Sequence, residues 1–207
     1  MGADGIASTY SDRVESKHTQ RMREKALPLE AERALKGALE HADKKQRPVR
    51  VLFVCLGNIC RSPAAQGIAE SIIASRGLSG RIECDSAGFY GGHAGDLPDS
   101  RMRGAAFARG YRLNHRARRI RECDFDDFDL LVGMDDYNLR DLHELAPSLE
   151  DERRIASMAD FALHHPGDHC VPDPYYEGAA GFELVLNLLE DACSVLVGEL
   201  ESHAVLG

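Results

Sequence analysis

Strand-like and helix-like stretches alternate through residues 49–202, and this alternation predicts an α/β fold, a parallel sheet with helices on both faces. Two stretches anchor the reading. Val49–Cys55 is a short apolar, β-branched run, the composition of a buried strand, and it leads through a loop into a helical stretch opened by Pro63. Gly178 to about Ser202 is a long closing helix, with Phe182, Val185, Leu186, Leu189, Ala192, Val195 and Leu196 on one stripe.

The elements follow in order. Val49–Cys55 is the first strand and Ser62–Ser75 its helix, ended near Gly77. Arg81–Ser86 is the second strand, and Pro98–Arg109 a helix ended by Gly110. Phe128–Met134 is the third strand, followed by a helix from Asp136 to about Leu145. Arg154–Met158 is a short fourth strand before the closing helix. In such a sheet the ligand site belongs at the carboxyl end of the first strand, at the switch point of the topology. The chain divides into an N-terminal extension, residues 1–48, and a catalytic domain, residues 49–207. Pro28 leads into Leu29–Ala42, where Ala31, Ala34, Leu35, Ala38, Leu39 and Ala42 form a helical stripe. That stripe must bury itself. Packing on its own domain is the plain expectation; a weak homodimer or a cover over the active site is the sharper one. Residues 1–20 read as disordered, and Tyr10 there is no better a phosphorylation target than any exposed tyrosine.

Composition narrows the classes. The chain has 207 residues, 43% of them hydrophobic, enough for one packed domain with an appendage. No apolar run reaches membrane-spanning length, and the start lacks a signal-peptide pattern. Six cysteines at irregular spacing read as reduced thiols in a cytoplasmic protein. The net charge of −9 argues against nucleic-acid binding. Residues 1–48 carry 10 Lys+Arg and 8 Asp+Glu, which leaves −11 for the rest. An anion pocket in so acidic a body has to be positive locally.

Such a pocket is encoded at Cys55-Leu56-Gly57-Asn58-Ile59-Cys60-Arg61-Ser62. A loop that ends a strand and feeds a helix N-terminus presents backbone N–H groups to an anion. Arg61 adds a planar fork that matches two phosphate oxygens. The same surroundings favour the thiolate of Cys55 near neutral pH. Nucleophile, amide cradle and guanidinium suffice to attack a phosphoryl group without a metal or other cofactor. Ser62 is placed to donate its hydroxyl to the Cys55 thiolate, or else serves as a plain helix cap. Asn58 tolerates left-handed backbone geometry. Tyr175 and Tyr176 are read as pocket walls, and a deep aromatic slot favours phosphotyrosine over phosphoserine. Cys60 is in reach of a peroxide-driven disulfide with Cys55, or is simply a packed small thiol.

The segment Val51–Ala65 resembles the phosphate-binding loop of the low-molecular-weight protein tyrosine phosphatases. The resemblance continues in order through Asp85-Ser86-Ala87-Gly88, Asn114–Arg118, Phe128–Asp135, Asn138–Leu142 and Asp173-Pro174-Tyr175-Tyr176, and covers about residues 49–202. It implies the phosphotyrosine phosphatase I-like fold with strand order 2-1-3-4. It also implies hydrolysis of phosphotyrosine and other aryl phosphates through a cysteinyl-phosphate. Cys55 is then the nucleophile, Arg61 the phosphate clamp and Asp173 the general acid and base. By the same resemblance Asn58 bonds Ser86 and His115, and Asp135 orients Arg61. The implied partner is a phosphotyrosine protein.

The chain also departs from that pattern. Gly92 stands where many members carry an aromatic wall residue, and Tyr90 or His93 is the available substitute. His164-His165-Pro166-Gly167-Asp168-His169-Cys170 is rich in metal-ligand types, but its spacing fits no standard signature, and a solvated loop is the expectation. The extension has no counterpart in the family core. Two other functions compete. A thioredoxin-coupled arsenate reductase needs two further nearby cysteines, and Cys123 has no partner within a dozen residues. A non-catalytic phosphotyrosine-binding module would be expected to have lost Cys55, Arg61 or Asp173, and all three are present.

Overall fold

A computed structural model describes residues 26–165 and 169–204. Four parallel strands form one sheet in the order β2-β1-β3-β4: β1 Val49–Cys55, β2 Ile82–Gly88, β3 Leu130–Gly133 and β4 Ile155–Ser157. Seven helices are interleaved: α1 Leu29–Lys45, α2 Arg61–Ser75, α3 Ser100–Ala108, α4 Asp124–Asp127, α5 Asp136–Leu145, α6 Leu149–Glu152 and α7 Ala179–Ala204. The order 2-1-3-4 implied by the resemblance is the order found. No helix among the described residues is long and apolar enough to cross a membrane. The expectations for residues 1–20, including Tyr10, lie outside the described residues.

Alternation along the strands creates two cores. Val49, Val51, Phe53 and Cys55 face the layer of α1, α2 and α7. Leu52 and Val54 face the other way, towards Ile120, Phe125 and Leu142. A central strand covered on both faces has to be apolar at successive positions, and for that reason Val51–Cys55 reads as a continuous run.

Boundaries differ from expectation where tertiary pairing intervenes. β2 continues past Ser86 to Gly88, because its register with β1 holds to the pair Cys55–Gly88. β3 is shorter than Phe128–Met134 and starts after Asp129, whose backbone N–H bonds Arg50 and whose carboxylate is taken up by other partners. α3 starts at Ser100 rather than Pro98, since Asp99 caps it by accepting from the Arg101 N–H. α2 starts at Arg61, so Pro63 is its third residue. The absent N–H of Pro63 is still one that the first turn leaves unpaired.

The extension packs on its own chain. Ala31, Ala34, Leu35, Ala38 and Ala42 of α1 are buried in the same core as Phe53 and Val132, with Leu39 partly buried beside them. Small side chains let the helix axis approach the sheet closely. Beyond its apolar face, α1 is pinned by polar bonds. His41 Nδ1 lies 2.6 Å from Asp129 Oδ1, Arg47 Nη1 donates to Asp129 Oδ2 at 2.8 Å, and the Arg50 N–H donates to the same oxygen at 2.8 Å. Asp129 precedes β3, at the end of the strands opposite Cys55. The expectation that the helix covers the active site is therefore corrected. Its stripe is spent on the sheet, and its polar bonds fix the start of β3 at the far end of the strands.

Candidate functional site

The order 2-1-3-4 sends the chain to opposite sides after β1 and after β3, and the loops that leave these two strands open a crevice at their carboxyl ends. The Cys55–Arg61 loop lies in this crevice. A cavity of about 220 Å³ is lined by Cys55, Leu56, Gly57, Ile59, Cys60, Arg61, Tyr90, His93, Asp173, Tyr175 and Tyr176. Two larger grooves, of about 810 and 820 Å³, flank α1. Neither contains a residue of the Cys55–Arg61 loop, so chemistry rather than size selects the site.

Asn58 shapes the loop from beneath. It is fully buried, with φ of 53°, a conformation that asparagine tolerates better than most residues. Its Nδ2 donates to Ser62 Oγ and Ser86 Oγ, both at 2.9 Å. Its Oδ1 accepts from the Arg118 N–H at 2.9 Å and lies 2.8 Å from His115 Nε2. This network fixes the amide orientation and assigns the donor role to Nε2 of neutral His115. Burial is the main cause that holds His115 below its ordinary pKa of 6.5, against the raising influence of Asp85. The side chains of Asn58 and Ser62 lie below the cavity, where they brace its floor.

Cys55 has two close partners. Its sulfur is 3.0 Å from Ser62 Oγ and accepts from the Asn58 N–H at 3.3 Å. The Ser62 hydroxyl has a second acceptor, the Ala87 carbonyl, at 3.2 Å. A thiolate competes better for that proton, because a charged acceptor makes the stronger bond. Burial, followed by the charge of Asp99, pushes the Cys60 thiol far above its ordinary value. Cys55 and Cys60 are not joined in a disulfide. Cys123 immediately precedes α4 and does not line the cavity.

Arg61 is 2% exposed and held from three sides. Nη1 donates to Asp135 Oδ2 at 2.5 Å and to the Val171 carbonyl at 3.2 Å, while Nη2 donates to Asp173 Oδ2 at 2.9 Å. Nε, equally buried, has no hydrogen-bond partner among the described residues. Burial opposes the charge of this guanidinium, but Cys55, Asp135 and Asp173 outweigh it and hold the pKa above its ordinary value. Asp135 also caps α5 by accepting from the Asn138 N–H, so its position is set by the helix it starts. A buried donor without a partner is costly. Nε together with Nη2 presents the edge that takes two oxygens of an oxyanion, and the Asp173 carboxylate occupies half of that edge.

Several contributors were not singled out from the sequence. Gln66 accepts from Ser86 Oγ at 2.8 Å, and Arg118 bonds Asp85 and Asp124 besides Asn58. Arg101 stacks on Tyr175 at 5.3 Å from the ring centroid. Gly88 permits the loop to approach. A Cβ there would lie 2.7 Å from the Leu56 carbonyl oxygen and 2.8 Å from the Asn58 nitrogen. Gly88 and Arg118 lie in segments that carried the resemblance, Asp85–Gly88 and Asn114–Arg118, without being given a role. The others act through contacts distant in the chain.

The histidine-rich loop turns towards α7. His164 Nδ1 and His165 Nδ1 lie 2.5 and 3.2 Å from the two oxygens of Asp191. Pro166, Gly167 and Asp168 fall outside the described residues, and no group of three or more metal-ligand side chains is found among the described ones.

Residues 50–205 match the family model described as low molecular weight phosphotyrosine protein phosphatase. A low molecular weight protein-tyrosine-phosphatase of Streptomyces coelicolor is 40% identical over 155 residues, 74% of this chain and 94% of that one. One from Bacillus subtilis is 37% identical over 159 residues, 76% of this chain and 99% of that one. A crystal structure of a protein tyrosine phosphatase from Entamoeba histolytica, with Hepes in its active site, superimposes with a TM-score of 0.72 at 41% identity. It covers 75% of this chain and 98% of the other.

Proposed function

The chain belongs to the low molecular weight phosphotyrosine protein phosphatase family, and from that premise we propose that it hydrolyses phosphotyrosine in proteins, and other aryl phosphates, through a cysteinyl-phosphate on Cys55. The observation that carries this reading is Arg61, buried, locked by Asp135 and left with a partnerless Nε beside the Cys55 sulfur's loop. A guanidinium buried in that state is stabilised when a dianion completes its hydrogen bonds.

In this reading the phosphate displaces the Asp173 carboxylate from Nη2 and takes Nε and Nη2 with two of its oxygens, while the loop amides from Leu56 to Arg61 hold the rest. Released from Arg61, Asp173 takes up a proton from water and turns towards the leaving group. The Cys55 thiolate attacks phosphorus in line. The S–P bond forms, the P–O bond to the aryl group breaks, and Asp173 delivers its proton to the phenolate oxygen. Water then attacks the cysteinyl-phosphate, and the Asp173 carboxylate takes the water's proton. The S–P bond breaks to return the thiolate, supported by the Ser62 hydroxyl, and inorganic phosphate leaves. Residues 49–207 are the catalytic unit, with residues 26–48 acting as its structural brace.

The test is hydrolysis of p-nitrophenyl phosphate and of a phosphotyrosine peptide in excess chelator, with mass detection of the acid-quenched phosphoenzyme. Turnover and a phosphoenzyme on the intact chain, both lost in Cys55→Ser, are expected. Retained turnover in Cys55→Ser, or dependence on added metal, overturns the mechanism. Asp173→Asn is expected to lower kcat by about 10²- to 10⁴-fold for peptide, and less for the better nitrophenolate leaving group.

A further inference from the structure

We infer that Tyr90 is the wall that recognises the substrate's aromatic ring, and that Gly92 exists to make room for it. This rests on the phosphatase reading above and adds a specificity-determining residue to it.

The backbone of Tyr90 is tied to the nucleophile's loop. The Phe89 N–H donates to the Cys55 carbonyl at 3.2 Å and the Tyr90 N–H to the Leu56 carbonyl at 2.8 Å. The side chain then turns over the single helical turn Gly91–His93. A Cβ on residue 92 would lie 2.3 Å from Tyr90 Cζ, 2.4 Å from Cε1 and 2.4 Å from Oη. The ring therefore rests against the bare Cα of Gly92, in space that any other residue would fill. His93 packs at an edge-on angle of 73°, with ring centroids 5.4 Å apart. Tyr90 is thus positioned on the cavity, yet 57% exposed. A large aromatic surface held by backbone and neighbours but left open is suited to stack on a second flat ring. Tyr175, backed by Arg101, reaches the same cavity from another loop. Inorganic phosphate uses the amide cradle and Arg61 without touching this wall, whereas an aryl phosphate uses both.

The backbone of Gly92 is not left-handed, so an alanine there introduces no strain of its own and acts by displacing the ring. The experiment compares the full chain with Tyr90→Ala, Tyr90→Phe and Gly92→Ala. It measures kcat and KM for p-nitrophenyl phosphate and a phosphotyrosine peptide, and competitive inhibition by inorganic phosphate. Tyr90→Ala and Gly92→Ala are expected to raise KM for both aryl substrates about three- to tenfold. The inhibition constant for phosphate and kcat should stay within twofold, and Tyr90→Phe should behave as the parent. An active parent whose Tyr90→Ala variant keeps its KM overturns the inference alone. A parallel loss of phosphate affinity also overturns it, because Tyr90 would then be holding the cradle rather than the ring. An inert parent overturns the phosphatase reading, and this inference with it.

Discussion

Replacing Asn58 by alanine tests whether one buried amide holds the catalytic loop open. Its Oδ1 serves the Arg118 N–H and His115 Nε2, and alanine leaves both donors buried and unpaired, at about 1–3 kcal/mol each. Ser62 and Ser86 suffer less, because their hydroxyls keep the Ala87 carbonyl and Gln66 Oε1 as acceptors. Alanine must also hold φ near 53°, a left-handed conformation that costs about 1–2 kcal/mol without a short polar side chain to support it. Water entering the vacated space recovers part of the loss, and the sum comes to about 4 kcal/mol. For a chain of this size that lowers Tm by about 8–16 °C. Urea unfolding analysed by linear extrapolation measures the difference directly. Asn58→Gly removes the backbone strain but not the orphaned donors, so it should recover about 1 kcal/mol relative to alanine. A loss below about 1 kcal/mol in Asn58→Ala, or a glycine variant no more stable than the alanine one, would refute the account.

Three other perturbations follow from the same geometry. Gly88→Ala places a methyl against two backbone atoms of the loop that cannot swing aside, and kcat/KM for p-nitrophenyl phosphate should fall by about 10- to 100-fold as the cradle shifts. Ala38→Leu forces a larger side chain between α1 and the sheet at a position with no exposure. Urea unfolding should show a loss of about 1–3 kcal/mol, and an unchanged midpoint would mean that α1 does not pack there. His115 is favoured neutral in the folded state because burial lowers its pKa below 6.5. The stability this provides is full above pH 6.5 and is lost as pH falls from there through the lowered folded value, so unfolding free energy should drop across that window, with a shallower slope in His115→Asn.

Much of the site was legible in the sequence because its chemistry is local. Cys55 and Arg61 lie in one loop, six residues apart, and a strand, a loop and a helix start are short-range features. Asp173 and Asp135 could be assigned only through the family resemblance, since an Asp-Pro turn and a helix cap look ordinary in isolation. Gln66 and Arg101 gave no signal, because one acts through a partner 20 residues away and the other through a ring it covers. Gly92 looked like the loss of a wall residue, and the ring of Tyr90 lying across it shows where the lost volume was replaced. The stripe on α1 announced that a face would be buried but not against what. Sequence fixes which side of a helix is apolar, whereas the choice between own sheet, partner and active site depends on which surface is complementary in shape and charge.

The sequence by itself determined the alternation of strand and helix, the nucleophile's loop and the amphipathic stripe of the extension, because each is written in neighbouring residues and a fixed period. Only the tertiary structure decided that Asp129 anchors that extension at the end of the strands opposite Cys55, that the side chains of Asn58 and Ser62 brace the cavity rather than line it, and that Arg61 waits with one nitrogen unpaired. Those outcomes depend on which distant groups fall within hydrogen-bonding distance once the chain is packed. A bond that decays within an ångström cannot be read from spacing along the chain.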